Sequence, residues 1–332
     1  MHNSHSFSRR SPIVAAIVLN LAALMPASSH TGPIAISPAQ EYNGWKDAVV
    51  MSNGLVEVVV VPSIGRVMQF RFAGETDGPF WENCALAGKH VANTSPWNVS
   101  QGSYGGDKSW PAPQTAWGWP PPEAFDNSAC AVETLPDSSL LLTSPVCAKS
   151  GVQVLRKITL EPDGASMSIQ TTYKKVRGEP VEFAIWIITQ TKAPLALYLN
   201  APETSLFEGA CSIQIGEPSE HLTRKPGLLR LTRDLKQNLK IGNDGTRLVL
   251  VGETELLRMD IARRAGTYAD GGCSIEVYTN AGPAAYVEME TLGPLNSLNA
   301  GDEASDTTTY TLAHRSGCEA DDVAAQFQTL AK

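Results

Sequence analysis

Apolar residues in this chain recur mainly with a period of two. Gly54 to Pro62 reads GLVEVVVVP, a β-branched run broken by one glutamate. Residues 152–160 (VQVLRKITL) and 165–173 (ASMSIQTTY) alternate apolar and polar side chains on either side of Pro162-Asp163-Gly164. Alternation puts successive side chains on opposite faces of a strand, and Pro-Asp-Gly supplies a turn, so the two runs predict a hairpin. Residues 181–190 (VEFAIWIITQ) are largely apolar and predict a buried strand. Further strands are expected at 228–231, 247–251, 256–261, 273–279, 285–290 and 307–313. Only the tail, Cys318 to Lys332, has helical spacing, with Val323, Phe327 and Leu330 on one face.

Strands do not alternate with helices, which argues against a parallel α/β sheet. No repeat of 20–50 residues is visible, which argues against a propeller or solenoid. The expectation is an all-β fold, a large antiparallel sandwich with a short C-terminal helix, forming a single domain from residue 30 to 332.

Residues 1–29 read differently. Arg9 and Arg10 precede the apolar run Ile13 to Met25, and Pro26-Ala27-Ser28-Ser29 places small residues before a cut after Ser29. These are the three regions of a signal peptide. The run falls short of the roughly 20 residues of a spanning helix, so no membrane span is expected after cleavage. The expected location is periplasmic or secreted. Cleavage removes two arginines and no acid, moving the net charge from −8 to about −10. Such a surface repels phosphate backbones, so nucleic acid is not an expected partner. The chain is expected to be a monomer. Six cysteines, an even number in an exported chain, favour disulfides. Cys130 and Cys147 flank two short extended runs around Pro136-Asp137-Ser138, and a bridge between them is the expected pairing.

Candidate chemistry concentrates in one stretch. Residues 105–126 read GGDKSWPAPQTAWGWPPPEAFD, and five of the seven tryptophans fall between Trp81 and Trp119. A sugar presents apolar C–H faces and a rim of hydroxyls. Trp110, Trp117 and Trp119 would give it flat platforms, with Asp107, Lys108 and Gln114 reaching its hydroxyls. The prolines would hold the loop rigid, so little order is lost on binding. The same rings would serve equally as a plug closing one end of the sandwich. A second feature is AYVEMETLGPLN, whose alternation puts Tyr286, Glu288 and Glu290 on one face. Two carboxylates at that spacing repel, so one could act as a base or acid, or both could lie on a solvated strand face. Asp270, in Tyr268-Ala269-Asp270-Gly271-Gly272, is a turn residue or a residue at a strand mouth. No histidine pair has metal-ligand spacing and no nucleotide-binding motif is present, so neither metal nor cofactor is implied.

Several segments, NGLVEVVVVPSIGRVMQFRF, FWEN, GGDKSWPAPQ, PPPEAFD, AIWIITQT, YADGGCSIEVYTN and YVEMETLGPLNSLNAGD, together resemble a bacterial domain-of-unknown-function family. That family is related to the galactose mutarotase-like, or aldose 1-epimerase-like, superfamily. The resemblance covers most of the chain after residue 30. It implies a β-supersandwich with a sugar-binding cleft on one sheet. Aldose mutarotases open a sugar ring with a glutamate base and a histidine acid. Met289-Glu290-Thr291 resembles the stretch carrying their glutamate, which implies Glu290 as base. The run resembling their histidine strand, Ala184 to Gln190, contains no histidine. Lys108 or His314 would have to take that role.

Three functions stay open. The first is an exported carbohydrate-binding protein with a tryptophan-lined cleft. The second is an aldose epimerase or other glycan-active enzyme using Glu290, with Lys108 or His314 as acid. The third is a non-catalytic envelope protein with its tryptophans buried.

Overall fold

The computed structural model describes residues 33–91 and 103–315. The expected signal peptide and C-terminal helix lie outside the described residues. Two antiparallel sheets face each other. The first runs β1 (Ala35–Tyr42), β2 (Trp45–Ser52), β3 (Val56–Val61), β4 (Arg66–Phe72), β5 (Gly106–Ala112), β10 (Val181–Lys192), β19 (Tyr286–Leu292), β18 (Ile275–Thr279), β15 (Leu239–Asn243), β12 (Ser212–Ile215), with β20 (Asn296–Leu298) also pairing β10. The second runs β13 (Leu222–Lys225), β14 (Leu228–Leu231), β11 (Ala196–Asn200), β16 (Arg247–Val251), β17 (Glu255–Ile261), β21 (Glu303–His314), β9 (Ser166–Lys175), β8 (Val152–Leu160), β7 (Leu140–Thr143), β6 (Ala131–Thr134).

The alternation read from the sequence is the alternation of burial. Every second residue of β8 is buried from Val152 to Leu160, and the residues between are half-exposed. The expected hairpin is β8 and β9, paired from Leu160–Met167 outward. The apolar run at 181–190 becomes β10, which is central in its sheet and buried almost throughout. One face meets the second sheet, and the other carries Trp186 and Gln190 toward a cleft.

One expectation fails at the opening of the aromatic stretch. Its first residues are not loop: Gly106–Ala112 is strand β5, buried along its whole length and paired in register with β10. The glycines make this possible. Gly105 and Gly106 have φ of 90° and 66°. A Cβ on Gly105 would lie 2.0 Å from the Trp81 carbonyl oxygen, and one on Gly106 2.4 Å from that of Val67. Only glycine fits so close to neighbouring backbone at that φ.

The expected disulfide is also absent. Cys130 and Cys147 are both free thiols. Ala131 pairs with Thr143, a register that would set Cys130 across from Ser144, three residues short of Cys147. Cys130 instead turns toward the Ser128 carbonyl beside Gly65. Cys84, Cys211 and Cys273 are free as well, and Cys318 lies outside the described residues.

Asp107 faces the interior and joins the two sheets. It is wholly buried and accepts hydrogen bonds from Thr189 Oγ1 at 2.7 Å and Tyr310 Oη at 2.6 Å. Arg156, from β8 across the core, donates to its carboxylate and to its carbonyl oxygen. Two residues on, Ser109 shares a 2.7 Å hydrogen bond with Tyr173 of β9. Substituting Asp107→Ala strands the Arg156 charge in the core. The expected cost is ~3–5 kcal/mol, typical of breaking one side of a buried pair. Urea unfolding of the variant measures it, and a loss under ~1 kcal/mol would show that Asp107 does not join the sheets.

Candidate functional site

The outward faces of the central strands in the first sheet carry a connected set of charged and aromatic side chains. Strand register sets their places. Lys108 on β5 lies opposite Ile188 on β10, which lies opposite Glu290 on β19, which lies opposite Glu276 on β18. The next row holds Gln190, Glu288, Tyr278 and Lys240. On the other side Trp110 pairs with Trp186. With ~4.8 Å between strands, the Lys108 and Glu290 backbones stand about 10 Å apart. A cleft of about 260 Å³ opens over these rows.

Lys240 is the hub. Its ammonium lies 2.7 Å from Glu276 and 3.0 Å from Glu290 Oε2, and 4.8 Å above the Trp186 ring. Trp186 Nε1 donates to the same Glu290 oxygen at 2.7 Å. Glu290 Oε1 is buried and has no partner. Burial pushes the Glu290 carboxyl above the usual range; Lys240 opposes this and Glu288 adds to it. Burial also pushes Glu276 up to about 7. For Lys240 burial opposes the charge, but the two carboxylates outweigh it and raise the ammonium above its ordinary value.

Lys108 is held from a second direction. Asp126, on a one-turn helix at Glu123–Asp126, accepts from Trp110 Nε1 at 2.9 Å and Arg66 Nη2 at 2.8 Å. The Lys108 ammonium lies 3.6 Å from the same oxygen and 3.7 Å over the Trp110 ring. Burial lowers it to about 8; Asp126 and Glu288 resist and Arg66 assists.

Of the residues singled out from sequence, Lys108, Trp110, Gln114, Trp119, Glu288 and Glu290 all line this cleft. Four do not. Asp107 is on the core face of β5, because neighbours on a strand point to opposite sides. Trp117 is buried in a separate apolar pocket with Phe125 and Phe183, its Nε1 donating to the Pro111 carbonyl. His314 belongs to the other sheet, where it stacks on Phe72 at 3.8 Å, so it does not face Glu290. Asp270 is solvent-exposed on a 3-10 turn outside the cleft wall, near enough to Glu276 and Lys240 to feel both charges. The aromatic stretch therefore divides: Trp117 is buried as a plug, while Trp119 is 43% exposed beside the cleft.

Sequence reading missed Lys240, Glu276, Trp186 and Tyr278. Glu276 left one signal, a lone acid in the apolar run SIEVYT. Lys240 left none, because a lysine in a short β-run reads as surface.

No family model matches the sequence, and no curated protein matches it. Solved structures do. A galactose mutarotase-like protein from Lactobacillus casei superposes with a TM-score of 0.53 at 11% identity, over 80% of this chain and 100% of its own. A galactose mutarotase related enzyme from Lactobacillus acidophilus gives 0.50 at 12%, over 81% and 97%. The chain has the galactose mutarotase-like fold. A TPR-domain containing protein from Parabacteroides distasonis gives 0.57 at 12%, with 86% of this chain covering 54% of that one. At such identities the likeness is one of fold, which hosts many functions.

Because Glu276 binds its proton more tightly in the folded protein, that group favours folding fully below its ordinary 4.5 and loses the contribution as pH rises through about 7. Substituting Lys240→Met leaves two buried carboxylates in direct register. The variant is expected to lose ~3 kcal/mol or more at alkaline pH and to recover much of it as pH falls and the carboxylates protonate. Urea midpoints on either side of neutrality check this. An equal loss at both would mean Lys240 does not neutralise the pair.

Proposed function

We propose that the chain is a carbohydrate-binding protein whose ligand lies in the Lys108–Glu290 cleft. The observation that carries this is the buried, unpartnered Oε1 of Glu290 at the floor of an open cleft edged by Trp119. A buried acceptor without a donor is costly, and a ligand hydroxyl would satisfy it. Trp119 offers the ring face that sugar C–H groups favour. Lys108, Gln190, Glu288 and Tyr286 provide donors and acceptors around the rim. The cleft is somewhat below the ~300 Å³ lower end of small-ligand pockets, which suits one or two sugar rings in an open groove. Mutarotase-like relatives of the same fold support a sugar ligand by analogy. The leader-like residues 1–29 support export, and an acidic net charge supports a partner other than nucleic acid. The mass of the mature N-terminus tests the cut after Ser29.

A second reading is epimerisation. Lys108, lowered to about 8, lines the cleft opposite Glu290. Glu290 would take the proton of the anomeric hydroxyl while Lys108 gives one to the ring oxygen as its bond to C1 breaks, and the reverse transfers would close the ring on the other face of C1. The base must be ionised and the acid protonated. Turnover should therefore fall as pH drops through the raised Glu290 range and fall again as pH rises through about 8.

Titration of the purified protein with mono- and oligosaccharides, followed by tryptophan fluorescence, tests the first reading. A saturable change is expected in the wild type. Trp119→Ala should weaken it by ~3–10-fold, matching ~0.5–1.5 kcal/mol for an aromatic contact. Trp117→Ala should leave the affinity ratio between sugars unaltered. No response to any sugar would sink the reading. Anomer interconversion followed by NMR, no faster with protein than without, would remove the epimerase reading alone.

A further inference from the structure

The charges around the cleft are unequal. Four carboxylates, Glu276, Glu288, Glu290 and Asp126, lie in its wall or directly behind it, against three cations, Lys108, Lys240 and Arg66. The cations are already engaged. Lys240 is shared between Glu276 and Glu290 Oε2, and it caps the Trp186 ring. Lys108 lies beside Asp126 and caps the Trp110 ring. Arg66 is wholly buried on Asp126, with a second bond to the Gly105 carbonyl. The acceptors are not equally engaged. Glu290 Oε1 has no partner, and Gln190 takes only Oε1 of Glu288.

Glu288 and Glu290 rise two residues apart from one face of β19, about 7 Å along the strand. The two carboxylates are near enough for the Glu288 charge to act on Glu290, so a single compact cation between them would meet the field of both. Tyr278 lies opposite Glu288 across the strand pair, and Tyr286 is two residues before it. Burial raises both phenols, Tyr278 to about 12, with Glu288 contributing; both therefore stay protonated and add no negative charge. A divalent metal fits this place poorly. Among the described residues no three side chains of His, Cys, Asp or Glu are set to hold one. An anionic ligand would meet the unpartnered carboxylate directly.

Resting on the carbohydrate reading above, we propose that the cleft selects a sugar carrying a free ammonium group, seated between Glu288 and Glu290, over neutral sugars, N-acetylated sugars and sugar acids. The sugar ring then extends toward Trp119 and Lys108, and its hydroxyls meet Gln190 and Tyr286. Glu290 Oε1, which has no partner within the protein, then receives an N–H donor.

The test is a calorimetric titration with glucosamine, glucose, N-acetylglucosamine and glucuronic acid. It is run about one unit below the ~7.7 of an α-amino group, so that the amine is charged. Glucosamine is expected to bind at least ~10-fold more tightly than glucose, the ratio of a hydrogen bond to a charged group. Glucuronic acid is expected to bind most weakly. Glu288→Gln keeps shape and hydrogen bonding but removes a charge, so the glucosamine-to-glucose ratio should fall toward one. Glu290→Gln should lower the same ratio and serves if the first variant is unstable. Equal binding of glucosamine, N-acetylglucosamine and glucose overturns the ammonium proposal and leaves the carbohydrate reading standing. A ratio unmoved by either glutamine variant also overturns it. Failure of every sugar to bind overturns both.

Discussion

The buried carboxylate of Asp107 fixes the relation between the two sheets. It draws Thr189 from its own sheet and Arg156 and Tyr310 from the facing one to a single point. A charge so far from water is tolerable only while all these donors stay in place. That requirement holds β5 against β10 and sets the register of the strands beyond. The next residue along, Lys108, must then emerge on the opposite face. The same backbone that locks the core therefore presents an ammonium to the cleft. The glycine pair ahead of it lets β5 approach Trp81 and Val67 closely enough for both roles.

The cleft itself is a set of charges balanced in two groups. Around Lys240, two carboxylates in direct register would repel strongly without the shared cation. Around Asp126, a carboxylate holds an arginine, a tryptophan N–H and a lysine. Each lysine also rests on a tryptophan face, which fixes its position while keeping it dry. The outcome is a rigid polar floor with few free donors and at least one free acceptor. Trp119 stands exposed at its edge.

Much of the fold was legible along the chain. Alternation located β8, β9, β19 and most of β21, because one face of each meets the core and the other meets water or the cleft. The hydrophobic run of β10 was legible because the strand is central in its sheet and buried almost throughout. Strand β5 was not, since Gly, Pro and Lys within a strand are read as loop, and only its neighbours' geometry makes them tolerable. The disulfide expectation failed because spacing does not specify register, and register keeps Cys130 and Cys147 apart.

The sequence by itself determined that this chain is built of strands, that Glu288 and Glu290 share a face, and that Lys108 belongs with the aromatic stretch. Local periodicity carries such information, since it depends only on neighbours along the strand. Tertiary structure alone decided which face met the core. It sent Asp107 inward and Lys108 outward, buried Trp117 while exposing Trp119, and put His314 on the other sheet. It also brought Lys240 and Glu276, both distant in sequence from Glu290, to its side. Partners joined across a sheet carry no mark of each other in a single sequence, because what unites them is strand order and register.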